Sequence, residues 1–314
     1  MKDVQHSIST KLTADVFKAI NTGNSAKNII KKNKSMPDRL LNMAGRHVGI
    51  KEEHLPIYRK LVRGENNEFL EKLKGFNHQL QPGDLILVTG IGTSSKTLVK
   101  LQKSFYEKAR SSHIAVAHSE FVCVDAIPKT GVSLRLVPEI LRNVENNWRV
   151  IRLKNIPESS FENISKSCIY YTEQPYLIFL KRKPAKNYSY CSELARKIYI
   201  SSDIKECGIP NKPIIKPCDF DNLADRNSEW EDITESVRSY IEFCVEYEGF
   251  LMFMSKLLLN GINLNRQRFD ERIEIKRKIS RMVKKGEITS QTASKVNENI
   301  KTREDSLNYK FWNK

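Results

Sequence analysis

Two short runs in which apolar residues alternate with small or polar ones, separated by three turn-forming residues, constrain this chain more than any other feature. The stretch from Ser112 to Ala126, SHIAVAHSEFVCVDA, has the period of half-buried strands and reads as a hairpin around His118-Ser119-Glu120. If Ala117 faces Phe121, counting outward along an antiparallel pair sets His113 directly across from Asp125, with Cβ atoms about 5 Å apart. Alternation sends Ile114, Val116, Val122 and Val124 to one face. His113, Ala115, Ala117, Cys123 and Asp125 fall on the other, where small alanines leave room for a further element to dock.

The segment NYSYCSELARKIY at 187 to 199 supplies such an element. Ser189 has the chemistry of an N-cap, and Leu194, Ala195 and Ile198 form a helical stripe, which puts Cys191 in the first turn. Unpaired backbone N–H groups and the positive end of a helix stabilise a thiolate, and a neighbouring imidazolium lowers the thiol pKa further. Three roles follow: Cys191 as nucleophile, His113 as base and then acid, Asp125 as the group that fixes the imidazole tautomer. The Cys191 N–H would bind the oxyanion. Tyr190, beside the nucleophile, is a candidate second oxyanion donor, although an aromatic at this position more often joins the core.

Each residue taken alone has an ordinary reading: a packed small hydrophobe for Cys191, a structural histidine for His113, a turn or lysine partner for Asp125. Their joint occurrence favours catalysis. Cys123 is the rival nucleophile, but a strand offers it no helix terminus. His118 is the rival base, but it falls in the turn and is expected to be exposed.

Five segments carry a family resemblance: GDLILVTG at 83 to 90, SSHIAVAH at 111 to 118, VDAIPKTGVSLRLVPEIL at 124 to 141, YCSELARKIY at 190 to 199 and KPCDFDNLADRNSEW at 216 to 230. Together they resemble the YiiX-type, circularly permuted papain-fold hydrolases, grouped with NlpC-type cell-wall peptidases and lecithin:retinol acyltransferase-like enzymes. In that group the histidine precedes the cysteine and a polar third residue follows on the neighbouring strand. The resemblance implies His113 as base, Asp125 as orienter and Cys191 as nucleophile, and an α+β fold: a permuted papain-like antiparallel sheet flanked by helices. It runs from about Leu80 to about Trp230, and relatives often carry glutamate or histidine where this chain has Asp125.

Around that block the chain divides into a charged helical region at 1 to 77, a catalytic domain at 78 to 232 and a C-terminal helical region at 233 to 314. In the first, Leu12, Val16 and Ile20 show helical spacing. Within the second, a strand at 84 to 89 leads to a helix at about 95 to 109 with a stripe of Leu98, Leu101, Phe105 and Ala109. Strands follow at 132 to 136, 148 to 153 and 176 to 180, with a helix at 161 to 171 and a loop past Cys207 up to Trp230. The dense apolar stretch from Tyr240 to Leu259 carries too many charges for a membrane span. It reads as a helix packed on the core in preference to an amphipathic surface on a bilayer. The tail from Arg266 reads as two charged helices joined near Lys285-Gly286.

Fifty-three Lys and Arg against 37 Asp and Glu give a net charge of +16, which favours an anionic partner such as a phospholipid surface. Part of this excess sits in the run Lys181-Arg182-Lys183. No RNA-recognition signature or arginine-rich arm is present, so no specific nucleic-acid partner is expected. The six cysteines contain no C-x-x-C pair and the histidines do not join them at zinc spacing, so no metal or other cofactor is expected. An N-terminus without an apolar signal core points to the cytoplasm, with export by another route open. The expected activity is that of a cysteine hydrolase or acyltransferase acting on an amide, ester or thioester, a lipid or acyl-protein being preferred to a peptidoglycan peptide. A non-catalytic basic scaffold binding anionic membrane or nucleic acid is the alternative.

Overall fold

A computed structural model of the chain describes residues 25 to 178, 187 to 204, 207 to 226 and 228 to 305. The expected helix of Leu12, Val16 and Ile20, the basic run 181 to 183 and the end of the expected 176 to 180 strand lie outside them. Four N-terminal helices, α1 (Ser25–Lys34), α2 (Asp38–His47), α3 (Leu55–Val62) and α4 (Glu68–Lys74), precede the first strand, β1 (Leu85–Val88). Then come α5 (Thr93–Gln102), β2 (His113–Ala117), β3 (Val122–Ile127), β4 (Gly131–Leu136), the short α6 (Val137–Ile140), β5 (Arg149–Leu153) and α7 (Glu158–Tyr170). The chain continues through α8 (Cys191–Ser201), α9 (Pro217–Arg226), β6 (Trp230–Asp232), α10 (Thr234–Glu246), α11 (Glu248–Lys284) and α12 (Ser290–Asp305). The class is α+β.

The six strands form one open, wholly antiparallel sheet in the order β4-β3-β2-β1-β5-β6. Pro82 and Gly83 make the turn into β1: Asp84 N–H returns to Gln81 O at 3.0 Å with Gly83 at φ +98°, the positive φ that the third position of a type II turn requires. Gly131, which opens β4, also has a positive φ, +81°, and a close approach adds to it. A Cβ there would come within 2.3 Å of Gln174 O, the carbonyl that receives Val132 N–H at 2.8 Å.

The β2–β3 turn lies one residue later in the chain than expected. Ala117 faces Cys123, and Ala115, not His113, faces Asp125. The turn residues are Ser119-Glu120-Phe121, with His118 N–H donating to Val122 O at 2.8 Å. Moving the turn by one residue shifts every partner by two, so each side chain keeps its face.

The docking face of the cysteine helix differs from expectation. Leu194, Ala195, Ile198 and Tyr199 of α8 pack in one cluster with Leu85, Leu87, Ile114, Val116 and Val124, the apolar face rather than the alanine face. A helix with that many large apolar side chains removes more surface from water against valine and isoleucine than against alanine. Ile164 and Cys168 of α7 and Phe220 and Leu223 of α9 complete the cluster. The helix α9 corrects the reading of 207 to 230 as loop: Pro217 starts it, and Phe220, Asp221 and Leu223 are its buried residues.

The expected stripe on α5 is also corrected. The helix stops at Gln102, whose buried side chain donates to Ser111 O at 3.0 Å and accepts Cys218 N–H at 2.8 Å. Leu98, Leu101 and Phe105 face solvent, while Tyr106 and Ala109 pack against Cys218.

Over its first part, up to Leu251, the 240 to 259 stretch packs on the core as favoured. Tyr240, Ile241, Phe243, Cys244, Tyr247, Phe250 and Leu251 are buried, and Phe69 of α4 stacks on Phe243 and Phe250 at 5.4 and 4.9 Å between centroids. Residues to Leu258 belong to one compact unit and Leu259–Lys314 to a second. In the second, α11 ends at Lys284 and Thr289 caps α12 through Thr292 N–H at 3.1 Å, the two charged helices joined near Lys285-Gly286 that the tail predicts. Among the described residues no helix is long and apolar enough to cross a membrane.

Candidate active site

His113 opens β2 and Asp125 lies inside β3, on the same face of the sheet but one register step apart. Pairing of β2 with β3 begins only at Ala115, so the His113 ring is not held opposite a β3 partner and reaches diagonally. Its Nε2 lies 2.9 Å from Asp125 Oδ2. The Asp125 side chain is fully buried, whereas the imidazole keeps 21% of its exposure.

A second cation shares that carboxylate. Arg135 of β4 donates from Nη1 to the same Oδ2 at 2.8 Å and from Nη2 to Glu139 O. Asp125 Oδ1 has no hydrogen-bond partner among the described residues. Sequence reasoning missed Arg135, although the β3–β4 pairing that sets Cys123 across from Arg135 puts it on the Asp125 face by alternation alone.

Cys191 is the first residue of α8. Tyr190 at the N-cap has extended backbone and makes no capping hydrogen bond through its side chain, so no cap occupies the N–H groups of the first turn. Ser189 therefore does not cap the helix as expected. Its hydroxyl donates to Gln174 Oε1 at 2.8 Å and accepts from Lys197 Nζ at 2.9 Å, fixing the strand that enters the helix. Lys197, also bonded to Tyr188 O at 2.7 Å, is held with its pKa brought down to about 8 by burial.

The Cys191 thiol and the His113 ring act on each other's titration. Burial opposes the charge on both. For Cys191 it raises the pKa, but the His113 bond and charge, a Ser192 contact and the Ile114 N–H outweigh it, and the thiol ends lowered. For His113 burial pulls down, while bonds to Asp125 and Cys191 and their charges carry the pKa up to about 10. Both shifts run toward a thiolate and an imidazolium, the arrangement that activates a thiol.

The rivals are placed elsewhere in chemical terms. Burial raises the Cys123 thiol well above its ordinary value, leaving it protonated and inert. His118 is not exposed as expected: both ring nitrogens are buried without partners among the described residues, and burial lowers its pKa to about 4. Tyr190 joins the core, and its hydroxyl accepts Ile215 N–H at 3.1 Å, which makes it an anchor for the 207 to 216 segment.

A further aromatic stands near the thiol. Residues 175 to 177 run beside Ser189, with Ser189 N–H to Pro175 O at 3.1 Å and Leu177 N–H to Ser189 O at 3.2 Å. Tyr176 on this segment is half-buried, and burial together with the Cys191 charge pushes its phenol up to about 12. Tyr176 makes an isolated bridge with Ser189, and no strand forms over 176 to 178.

A separate cleft of about 310 Å³ is lined by Asp84, Arg152, Lys154, Phe161 and Glu231. It sits at the other end of the strands, since Asp84 O accepts Ala117 N–H while Val88 is the partner of His113. Its charges are engaged: Arg152 and Asp84 form a 2.7 Å ion pair. Among the described residues no group of three or more His, Cys, Asp or Glu side chains is arranged to hold a metal ion.

No family model matches the chain, and no curated protein sequence matches it. Among solved structures, the metalloprotein yiiX from Escherichia coli O157:H7 is similar over 49% of this chain and 88% of its own, at 18% sequence identity and a TM-score of 0.35.

Proposed function

We propose that the protein is a cysteine-dependent hydrolase or acyltransferase that works through a thioacyl-enzyme on Cys191. The observation that carries this reading is the line Cys191–His113–Asp125, in which the imidazole bonds the buried carboxylate at 2.9 Å and is coupled in its titration to the thiol at the uncapped start of a helix. The order of these residues along the chain also fits the YiiX-like, permuted papain-fold group that the five sequence segments resemble.

The chemistry follows from the charge state. The Cys191 thiolate attacks the carbonyl carbon of an amide, ester or thioester, forming a C–S bond as the carbonyl π pair moves onto oxygen. That oxyanion meets the Cys191 N–H and the positive end of α8. Collapse breaks the bond to the leaving group, which takes the proton from the His113 imidazolium. The imidazole, now neutral, removes a proton from water or an acceptor hydroxyl as it attacks the thioester, and departure of the thiolate restores the ion pair. Asp125 keeps one ring nitrogen engaged throughout and stabilises the imidazolium.

A lipid ester or acyl-protein is the preferred substrate, because the chain is strongly basic and anionic phospholipid attracts such a surface. The test is mass spectrometry of the intact protein after exposure to lipid extract and, in parallel, to peptidoglycan fragments. An acyl mass added to Cys191 and absent from Cys191→Ala supports the reading, and a peptide mass moves the substrate to the wall. No adduct on Cys191 with either extract contradicts the covalent mechanism.

A further inference from the structure

Helix α5 is inverted. Its one buried residue is the polar Gln102, while Leu101 and Phe105 are 64% and 68% exposed and Leu98 and Ile91 also face solvent. Leu98 and Leu101 lie one turn apart on α5, and Phe105 follows in the turn just past its end at Gln102. Gln102 explains how this can be stable. By bridging Ser111 O and Cys218 N–H, it holds the segment to the body through polar bonds and leaves the apolar side unused for folding. Contiguous exposed apolar residues of this kind mark a surface made for a partner.

The charge around the ridge selects the partner. Residues 93 to 110 contain Lys96, Lys100, Lys103, Lys108 and Arg110 against Glu107, with Lys96 paired to Glu145 and Arg110 to Asp225. Lys100 and Lys103 are exposed on either side of Leu101, and Lys216 places its ammonium over the Phe105 ring at 2.9 Å. Apolar side chains that can enter an acyl boundary, rimmed by lysines that can meet phosphate groups, are the chemistry of an interfacial helix on anionic lipid.

We infer that the exposed ridge made by Leu98 and Leu101 of α5 and by Phe105 in the turn after it, with its flanking lysines, docks the protein on an anionic phospholipid bilayer. This deepens the acyl-lipid reading of the site, because the ridge begins at the end of the sheet where that site lies. Val88 pairs with His113, Gly90 N–H reaches Ser112 Oγ at 3.3 Å, and α5 starts at Thr93. Docking by this ridge sets the Cys191 end of the sheet toward the lipid.

The experiment is co-sedimentation of the full-length protein with vesicles of phosphatidylcholine and phosphatidylserine, against phosphatidylcholine alone, at low and raised salt. The wild type should partition onto the anionic vesicles and be released by salt. Leu101→Glu/Phe105→Glu, which alters only exposed side chains, should weaken partition about tenfold or more while its thermal melt stays unchanged. Lys100→Glu/Lys103→Glu should do the same, and Cys191→Ser should bind like the wild type. Wild-type indifference to anionic vesicles, or undiminished binding by the Leu101/Phe105 variant, overturns the inference. So does a wild-type dimer that this variant dissociates, since the ridge would then face a second copy of the chain. Vesicle binding that needs the ridge but leaves no acyl adduct on Cys191 keeps the docking surface and sinks the acyl-lipid reading.

Discussion

His113 Nε2 and Asp125 Oδ2 meet at 2.9 Å although the two residues are not partners in the sheet: Asp125 lies opposite Ala115. The bond is diagonal, and it exists because the hairpin unpairs before His113, leaving the ring free to lean along its own strand. A base held this way is oriented by the carboxylate rather than by the backbone ladder. Removing the carboxylate's acceptor capacity should therefore damage catalysis more than folding.

Asp125→Asn tests that consequence. The amide preserves shape but cannot hold the imidazolium, so acyl transfer should fall by about 10²- to 10⁴-fold and the Cys191 inflection should move toward that of an ordinary thiol. Single-turnover kinetics on an activated ester measures both. Unchanged turnover would show that Asp125 is structural.

Arg135→Met leaves a buried carboxylate with one cation in place of two. Because Asp125 is fully buried and Arg135 only partly so, stability should drop by about 2 kcal/mol, read by urea unfolding. The His113 bond persists in this variant, so Cys191 should still react as a thiolate.

His118 makes the fold acid-sensitive. Its imidazole takes a proton near pH 6.5 when unfolded but only near 4 when folded, so the unfolded state binds more protons between those values. Stability should fall by up to about 3 kcal/mol as pH drops through that window. His113, with a raised pKa, contributes fully below 6.5 and is constant there. His118→Leu should flatten the slope between pH 6.5 and 4; an unchanged slope would rule His118 out as its source.

Tyr190→Phe removes the acceptor for Ile215 N–H and leaves a buried donor unpaired. A loss of about 1 to 2 kcal/mol with little change in single-turnover rate is expected. A large rate loss at unchanged stability would restore Tyr190 to the oxyanion.

How much the sequence could reveal depended on the period being read. Period two put His113 and Asp125 on one face even with the turn misplaced, because a turn shifted by one residue shifts partners by two. The start of α8 was readable to within one residue from Cys191 and the Leu194/Ile198 stripe. The docking face of α8 was not, since it depended on which side of the sheet offered the larger apolar area. On α5 only Leu98 and Leu101 of the expected stripe lie on the helix, and they face outward because one glutamine anchors it from its polar side, while Phe105 and the buried Ala109 fall past its end. Arg135 was within reach of the period-two pattern, since the β3–β4 pairing sets it on the Asp125 face, whereas Tyr176 enters through a bridge to Ser189 that no local pattern carries, and Pro217 with Phe220 and Leu223 was a usable helix signal in a segment read as loop.

The most direct test of the central claim is the pH dependence of iodoacetamide alkylation at Cys191, followed by mass spectrometry, in the wild type and in His113→Ala. The ion pair predicts an inflection well below the ordinary thiol value of about 8.5 and a rise toward that value when His113 is removed. Alkylation that inflects at the ordinary value or above, and is indifferent to His113, would contradict it.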